Sequence, residues 1–284
     1  MTGKQVHAEF VRHWGRAGAG DGELLHPVDL ATGPGGDVFV ADTFNHRVQR
    51  FDAEGRFLGT WGDAGSSDGQ FLGPMGIATD EHGVVVVADT GNRRIQKFDS
   101  QGRFQRAWTA TEDPNGFVHG VAVASDGRVF VSDRNAHRIL IFDRGGALLE
   151  TWGGSGSKAG QLRFPHGVAL DAAGSVLVAD RDNERIQCFD RDGAPGGTWP
   201  SEPVGSEMRD PRGIAVDSSG RVYVSDFSAH RIFVLVGGAF AGSWGSEGVG
   251  RGQFAHPMGI AADAHGLIHV CDCRNNRVQT FRIG

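Results

Sequence analysis

The sequence predicts an all-β protein, a six-bladed β-propeller built from four-stranded antiparallel blades. One pattern recurs about every 46 residues along the 284-residue chain. Each copy contains short β-branched runs separated by Asp-Gly, Ser-Gly, His-Gly or Gly-Gly turns, which is the spacing of antiparallel strands. A closed ring of such sheets removes the open edges that invite aggregation. We therefore expect residues 1–284 to form a single domain.

The six copies follow one another with little between them. Blade 1 reads HPVDLATGPGGDVFVADTFNHRVQRFDAEGRFLGTWG, and its strands are separated at the Gly-Gly and Glu-Gly turns. The next four blades repeat this order of strand, turn and strand, but blade 6 ends before its outermost strand. The blades start near residues 26, 73, 118, 164, 210 and 256.

The N-terminal segment supplies the strand that blade 6 lacks. Residues 10–15, Phe-Val-Arg-His-Trp-Gly, match residues 57–62, Phe-Leu-Gly-Thr-Trp-Gly, which end blade 1. Residues 1–15 are therefore predicted to form the outer strand of blade 6, joining the first and last blades without a covalent bond.

All six tryptophans fall at the same position of an outermost strand. A residue that every blade carries serves the blade itself, so recurrence within the chain indicates a structural role. An indole ring is large enough to fill the wedge between neighbouring blades. We expect this packing for Trp14, Trp61, Trp108, Trp152, Trp199 and Trp244.

Six aspartates each precede an arginine by five residues. Buried carboxylates that accept guanidinium and backbone N–H donors can order hairpin turns. The predicted hairpin-bracing pairs are Asp42 with Arg47, Asp89 with Arg94, Asp133 with Arg138, Asp180 with Arg185, Asp226 with Arg231, and Asp272 with Arg277.

Composition argues against several classes of function. The formal net charge of −6 lacks the basic excess that nucleic-acid binding requires. No apolar run is long enough for a membrane helix, and no signal peptide opens the chain. Three cysteines without an export signal indicate free thiols. We expect a cytoplasmic monomer that binds neither nucleic acid nor membrane.

The repeat unit resembles the NHL repeat. Its elements are Pro-x-Gly-[IV]-Ala, then V-x-V-[AS]-Asp, then Asn/Ala-x-Arg-[IV]-Gln-x-Phe, and the six copies cover nearly the whole chain. Blades 3 and 5 depart from the unit at the glutamine that follows Arg138-Ile139 and Arg231-Ile232. The resemblance implies a six-bladed propeller of a family that includes protein-binding modules, RNA-binding modules and one enzyme branch.

Blade 4 is locally similar to that enzyme branch, the peptidyl-α-hydroxyglycine α-amidating lyases. The similarity lies in Pro165-His166 and in Val178-Ala179-Asp180-Arg181. It implies a zinc ligand at His166 and a contact of Arg181 with a substrate carboxylate. The two other positions that would supply zinc-binding histidines hold Met75 and Met258. The position of the lyase tyrosine holds Asn135 by blade order or Phe44 by best local match.

The loops that flank the two inner strands of every blade emerge on one face, because these strands are antiparallel. They form the mouth of a central funnel, where residues that differ between blades are candidates for a site. The Pro-x-Gly positions hold Val28, Met75, His119, His166, Arg212 and Met258, with Asp29 in place of the glycine of blade 1. The aspartates are followed by Thr43, Thr90, Arg134, Arg181, Phe227 and Cys273, and then by Phe44, Gly91, Asn135, Asp182, Ser228 and Arg274.

Blades 3 to 5 form the polar side of this mouth. The predicted catalytic residues are His119 and His166, since imidazoles can exchange protons near neutral pH. Arginine side chains bind carboxylate or phosphate bidentately, and methionine and phenylalanine offer an apolar wall. The predicted ligand-binding residues are Arg181, Arg134, Arg212, Asp29, Arg274, Phe44, Phe227, Met75 and Met258.

These residues predict binding of a small anionic, partly apolar molecule, with lyase, isomerase or hydrolase chemistry assisted by histidine. The competing interpretation pairs the arginines with Asp29 and Asp182 and hydrogen-bonds the histidines to loop carbonyls. Two other functions stay open: a scaffold that binds a protein or peptide, and a metal-dependent amidating-type lyase.

No cofactor is predicted. Two further ideas follow from the spacing of residues: a copper site and a nucleophilic thiol. Met75, His166 and Met258 lie on alternate blades, a soft set that favours Cu(I) over zinc. Cys273 could act as a nucleophile if a base such as His256 lay close to it.

Overall fold

The computed structural model describes residues 6–200 and 208–284, and it confirms the all-β propeller fold. Six four-stranded antiparallel sheets form the blades. Residues 1–5, which the sequence assigns to the closing strand, lie outside the described residues. Within the two described ranges, no helix is long and apolar enough to cross a membrane.

Blades 1 to 5 each contain four consecutive strands, and the innermost strand comes first in the chain. The innermost strands are β2 (Pro27–Thr32), β6 (Pro74–Thr79), β10 (Val118–Val123), β14 (Pro165–Leu170) and β18 (Pro211–Val216). The second strands are β3 (Val38–Asp42), β7 (Val85–Asp89), β11 (Val129–Asp133), β15 (Val176–Asp180) and β19 (Arg221–Asp226). The third strands are β4 (Arg47–Phe51), β8 (Arg94–Phe98), β12 (Arg138–Phe142), β16 (Arg185–Phe189) and β20 (Arg231–Val236). The outermost strands are β5 (Phe57–Trp61), β9 (Phe104–Thr109), β13 (Leu148–Gly153), β17 (Pro195–Trp199) and β21 (Ala239–Trp244).

Blade 6 combines the two ends of the chain. Its inner strands are β22 (Pro257–Ala262), β23 (Leu267–Asp272) and β24 (Arg277–Ile283), and its outermost strand is β1 (Ala8–Trp14). Strand β1 runs antiparallel to β24, with Ala8 opposite Ile283 and Trp14 opposite Val278. The prediction that an N-terminal strand closes the ring is confirmed.

The hydrophobic core lies between the blades. Six clusters of buried side chains each combine residues from two neighbouring blades. The cluster at the closure joins Trp14 and Val278 of blade 6 to Leu30 and Val40 of blade 1. Every blade therefore buries its faces only because both neighbours are present.

The tryptophans occupy these junctions as predicted. The Trp14 ring centroid lies 6.2 Å from that of Phe51 in the next blade. A Cβ atom added to Gly55 would lie 2.6 Å from the Trp14 ring, and Gly55 has a φ of +82°. The glycine in this outer turn therefore leaves the space that the indole ring of the preceding blade fills.

The aspartate–arginine pairs that brace the hairpins also form hydrogen bonds with the linker from the preceding blade. The Asp42 carboxylate accepts hydrogen bonds from Arg47 Nε at 2.8 Å and from the backbone N–H of Leu25 at 2.6 Å. Arg47 also donates to the carbonyl oxygens of Gly20 and Glu23 in the linker from the preceding blade. Each brace thus ties the linker to the end of the second strand.

Five of the six predicted braces form, at distances of 2.7–3.0 Å, and the prediction for blade 5 is wrong. Arg231 is exposed and makes no ion pair with Asp226 in the described part of the chain. The physical reason is that the Asp226 carboxylate accepts four backbone N–H groups instead. They belong to Arg209, Asp210, Ser228 and Ala229.

Replacement of Trp14 by Ala tests the closure. We expect a loss of about 3 kcal/mol in the free energy of unfolding, because a large side chain leaves the junction of blades 6 and 1. Urea unfolding followed by circular dichroism measures the loss. The control is Arg16→Ala, which removes a guanidinium that is 81% exposed and should change little. Equal stability of the two variants would contradict closure by β1.

The difference between the braces gives a second test. In Arg94→Ala the buried Asp89 carboxylate loses its guanidinium, so we expect a loss of about 3 kcal/mol in the free energy of unfolding. Arg231→Ala removes an arginine from the equivalent position of blade 5 without breaking a pair, and should cost well under 1 kcal/mol. Thermal unfolding of both variants side by side measures the contrast. A large loss in Arg231→Ala would show that Asp226 depends on this arginine after all.

Candidate functional site

The register of the inner strands fixes the mouth. The first residue of each innermost strand lies opposite the aspartate that ends the second strand, as Pro165 lies opposite Asp180 in blade 4. The same pairing recurs in the other five blades. The residues after each proline and each aspartate therefore face the same end of the ring.

A cavity of about 210 Å³ opens at this end, and we name it the funnel pocket. Its basic residues come from blades 1, 3, 4, 5 and 6, namely His26, His119, Arg134, His166, Arg212 and Arg274. Its remaining lining is Val28, Thr43, Phe44, Met75, Phe117, Phe227 and Met258. No carboxylate lines this pocket among the described residues.

Two neutral histidines form one wall of the funnel pocket. The rings of His119 and His166 meet edge to face with centroids 4.2 Å apart, and both side chains are buried. Burial, followed by the charges of Arg212 and Arg134, lowers the pKa of His119 to about 3. Burial likewise lowers the pKa of His166 well below its usual value. Both imidazoles are therefore uncharged at neutral pH.

Asp210 binds two of the predicted arginines. Its carboxylate accepts hydrogen bonds from Arg212 at 2.6 and 3.0 Å and from Arg181 Nε at 2.9 Å. Burial opposes ionisation of Asp210, but the bonds and charges of Arg212 and Arg181 lower its pKa. Arg181 also approaches Asp182 at 3.4 Å. It is thus held by carboxylates and does not line the funnel pocket.

Arg212 links this carboxylate to the histidines. Its Nη1 atom lies 3.2 Å from His166 Nε2, and its guanidinium carbon lies 4.6 Å from the Phe227 ring centroid. A guanidinium can only donate hydrogen bonds, so the neutral imidazole must be the acceptor. Arg212 therefore stays oriented while part of its charge is balanced by Asp210.

Arg134 stands apart from the other arginines. Its guanidinium lies 5.4 Å from the Phe117 ring centroid and 5.5 Å from that of Phe164. Its Nε is buried without a hydrogen-bond partner, and no carboxylate in the described part of the chain forms an ion pair with it. Burial, followed by the charges of Arg181 and Arg212, lowers the pKa of Arg134. The site therefore holds a cation that lacks an anion.

Asp29 lies deeper than the mouth. It lines a narrow chamber of about 30 Å³ in the centre of the ring, together with Val28, His119 and Arg212. Its carboxylate accepts hydrogen bonds from the backbone N–H groups of Leu30 at 2.9 Å and Ile77 at 3.2 Å. Burial raises the pKa of Asp29 to about 7. Asp29 therefore shares this chamber with Arg212 but forms no ion pair with an arginine among the described residues.

The thiol of Cys273 is paired with His26, whereas the sequence suggested His256. Cys273 Sγ lies 2.7 Å from His26 Nδ1, while His256 Nδ1 faces the Phe227 carbonyl oxygen at 3.1 Å. Cys273 is fully buried, and burial raises the pKa of its thiol. The protonated thiol can donate to Nδ1 when His26 carries its own proton on Nε2. This arrangement orients a histidine and does not activate a nucleophile.

The residues at the mouth do not fit a zinc ion. His166 faces the Arg212 guanidinium, and thioether groups of Met75 and Met258 stand where further nitrogen ligands would be needed. Within residues 6–200 and 208–284, no three His, Cys, Asp or Glu side chains are arranged to hold a metal ion.

The structure brings most of the predicted site residues into one pocket and leaves Arg181 and Asp29 outside it. Sequence reasoning missed His26 and Phe117, which also line it. Both residues stand directly before the first residue of an innermost strand. That position holds His26, Gly73, Phe117, Phe164, Asp210 and His256.

The fold and this mouth define a repeat propeller with a site at one end of its central channel. Six segments match the NHL repeat, at residues 24–51, 71–98, 115–142, 162–189, 208–235 and 254–281. The chain belongs to the NHL-repeat family.

Two curated relatives from Caenorhabditis elegans match short segments. The B-box type zinc finger protein ncl-1 is 45% identical over 51 residues, which is 18% of this chain and 6% of ncl-1. Protein lin-41 is 47% identical over 45 residues, or 16% of this chain and 4% of lin-41. The matched segments thus span less than a tenth of these relatives.

Solved structures share the fold over nearly the whole chain. Virginiamycin B lyase from Staphylococcus aureus, a catalytically inactive variant with quinupristin, has a TM-score of 0.69 and 13% identity, covering 98% of this chain and 99% of that one. A gluconolactonase from Xanthomonas campestris has a TM-score of 0.70 and 16% identity, covering 92% and 87%. At these identities the likeness shows the fold alone.

The raised pKa of Asp29 predicts a dependence of stability on pH. A carboxyl whose folded pKa of about 7 exceeds its ordinary value of 3.8 binds a proton more tightly when folded. Its contribution to stability is therefore lost as pH rises from about 4 to about 7. In Asp29→Asn this loss should disappear, so the variant should gain on the wild type by at most about 4 kcal/mol between pH 4.5 and pH 8.

Urea unfolding at the two pH values measures this gain. Asp192→Asn, at a carboxylate that is 85% exposed, is the control and should follow the wild type. A constant difference between Asp29→Asn and the wild type would mean that Asp29 titrates normally.

Proposed function

We propose that the chain binds a small, partly apolar organic anion in the funnel pocket, with Arg134 as its main anchor. The observation that carries this proposal is the buried Arg134 Nε without an acceptor. A buried donor that stays unpaired costs free energy, and more so on a charged group. An anion bound between Arg134 and the histidines would supply the missing acceptor.

The surrounding charges favour the same ligand. Arg274 lies across the mouth from Arg134, on blade 6, and forms no ion pair with a described carboxylate. Asp210 and Asp182 balance Arg212 and Arg181, so Arg134 and Arg274 are the arginines of the pocket that have no carboxylate partner among the described residues. The pocket therefore has an excess of positive charge although the whole chain is acidic.

The apolar side chains of the pocket favour an organic ligand over an inorganic anion. Phe44, Met75, Phe227 and Met258 line the pocket beside its basic residues. A purely inorganic anion would leave this surface in contact with water. A carboxylate with a hydrocarbon or aromatic portion would cover it.

Within this proposal, His119 and His166 are the acid–base residues of a lyase, isomerase or hydrolase reaction on the bound anion. Both are neutral at pH 7, so each has a nitrogen lone pair, but their lowered pKa values make them weak bases. An anion bound beside them would raise these pKa values and so favour uptake of a proton. His166 already contacts Arg212, which leaves His119 as the proton acceptor and His166 as a positioning residue. Similarity of fold to lyase and lactonase propellers is compatible with such chemistry but does not assign it.

A protein or peptide partner is the second candidate. The observation that favours it is Phe44, which is 58% exposed at the mouth. Binding of this kind concentrates its energy in exposed aromatic residues of the rim, and not in one buried guanidinium. Arg134→Gln should then have little effect on binding.

Calorimetric titration with benzoate, propionate and inorganic phosphate tests the proposed function. We expect benzoate to bind, and Arg134→Gln to weaken its binding about tenfold to a hundredfold, because a charged hydrogen bond is lost. Arg103→Gln is the matched control, since it removes the same charge from an exposed hairpin. The proposal falls if the wild type binds none of the three anions, or if the two variants bind benzoate equally.

A further inference from the structure

A second cavity of about 410 Å³ adjoins the funnel pocket over blades 1 to 3, and we name it the blade-2 groove. The two cavities share four lining residues, Thr43, Phe44, Met75 and Phe117. Phe117 is the residue whose ring lies against the Arg134 guanidinium. The groove therefore begins beside the proposed anchor of the anion.

Two positions that line the groove carry glycine in blade 2, where the other blades carry side chains. Gly73 stands directly before Pro74, the position that holds histidine, phenylalanine or aspartate elsewhere. Gly91 stands two residues after Asp89, where the other blades hold phenylalanine, asparagine, aspartate, serine or arginine. A Cβ atom added to Gly91 would lie 2.5 Å from the Leu72 carbonyl oxygen, so this loop conformation requires glycine.

The lining of the groove is apolar and has no carboxylate among the described residues. Its walls include Phe44, Leu72, Pro114 and Phe117. Phe44 is 58% exposed and Leu72 is 46% exposed, so both present hydrocarbon surface to solvent. Contiguous apolar surface of this kind, next to convergent polar groups, is typical of ligand sites.

The basic groups at the edge of the groove are already engaged. His46 Nδ1 accepts the backbone N–H of Gly73 at 3.0 Å, and Arg93 Nη1 donates to the Pro114 carbonyl oxygen at 3.1 Å. Arg93 is exposed and keeps its charge, but Arg134 holds a buried donor without a partner, so we place the anionic end of the ligand at Arg134. The groove then offers mainly hydrocarbon contacts.

We infer that the ligand is an elongated amphipathic carboxylate, whose anionic end lies at Arg134 and whose apolar body lies in the blade-2 groove. This inference rests on the proposed function, because the groove orients the ligand only if its anionic end is bound in the funnel pocket. The continuity of the two cavities, and the unpaired buried Nε of Arg134 at one end of them, set the direction of the ligand.

A series of straight-chain carboxylates from propionate to decanoate tests the inference by calorimetric titration. We expect the affinity to rise about twofold to threefold per added methylene, because each one covers part of the exposed groove. In Leu72→Ser, which changes the groove but not the lining of the funnel pocket, this rise should become shallower, while propionate binds as in the wild type. Leu148→Ser, at an exposed leucine of β13 outside the mouth, is the matched control and should keep the full slope.

The possible results separate the two proposals. If no carboxylate of any length binds, the proposed function itself fails. If propionate and decanoate bind equally and Arg134→Gln abolishes both, the funnel pocket stands and the groove is not part of the site. If Leu148→Ser lowers the slope as much as Leu72→Ser does, the chain-length dependence is unspecific and the inference is overturned.

Discussion

The propeller depends on packing between blades, and the ring must be closed for that packing to be complete. Each sheet has two faces, and every core cluster combines side chains from two neighbouring blades. An open ring would expose one face of blade 1 and one of blade 6. Strand β1 prevents this by joining β24, and Trp14 fills the last wedge. Assembly of the core is thus coupled to the meeting of the two chain ends.

The same repetition that builds the scaffold holds the mouth in place. Aspartates at the ends of the second strands bind the backbone of the linkers, and the arginines five residues later bind linker carbonyls. The loops at the mouth therefore start from fixed points in each blade. Side chains can differ there without cost to the ring, so one end of the propeller combines histidines, arginines, phenylalanines and the two glycines of blade 2.

The charges of the side chains in the funnel pocket depend on their burial and on the arginines that Asp210 binds. Burial and nearby guanidinium groups keep His119 and His166 uncharged, so they can share a wall with arginines without repulsion. Asp210 binds Arg181 and Arg212, and Asp182 lies near Arg181, whereas the buried Nε of Arg134 has no partner among the described residues. The net charge of the funnel pocket therefore depends on which arginines have a carboxylate partner, and not on the number of arginines.

The sequence by itself determined the number of blades, the N-terminal closure, the wedge tryptophans and most residues of the mouth, because these features repeat at a fixed spacing and each blade forms its own strands. It misjudged Asp226 and Arg231, since only the fold shows that backbone N–H groups satisfy this carboxylate. Tertiary structure alone decided the pairing of His26 with Cys273, which lie 247 residues apart, and the binding of Asp29 to backbone N–H groups instead of an arginine. The physical reason is that hydrogen bonds and cavities depend on side-chain direction across blade junctions, which a one-dimensional repeat does not encode.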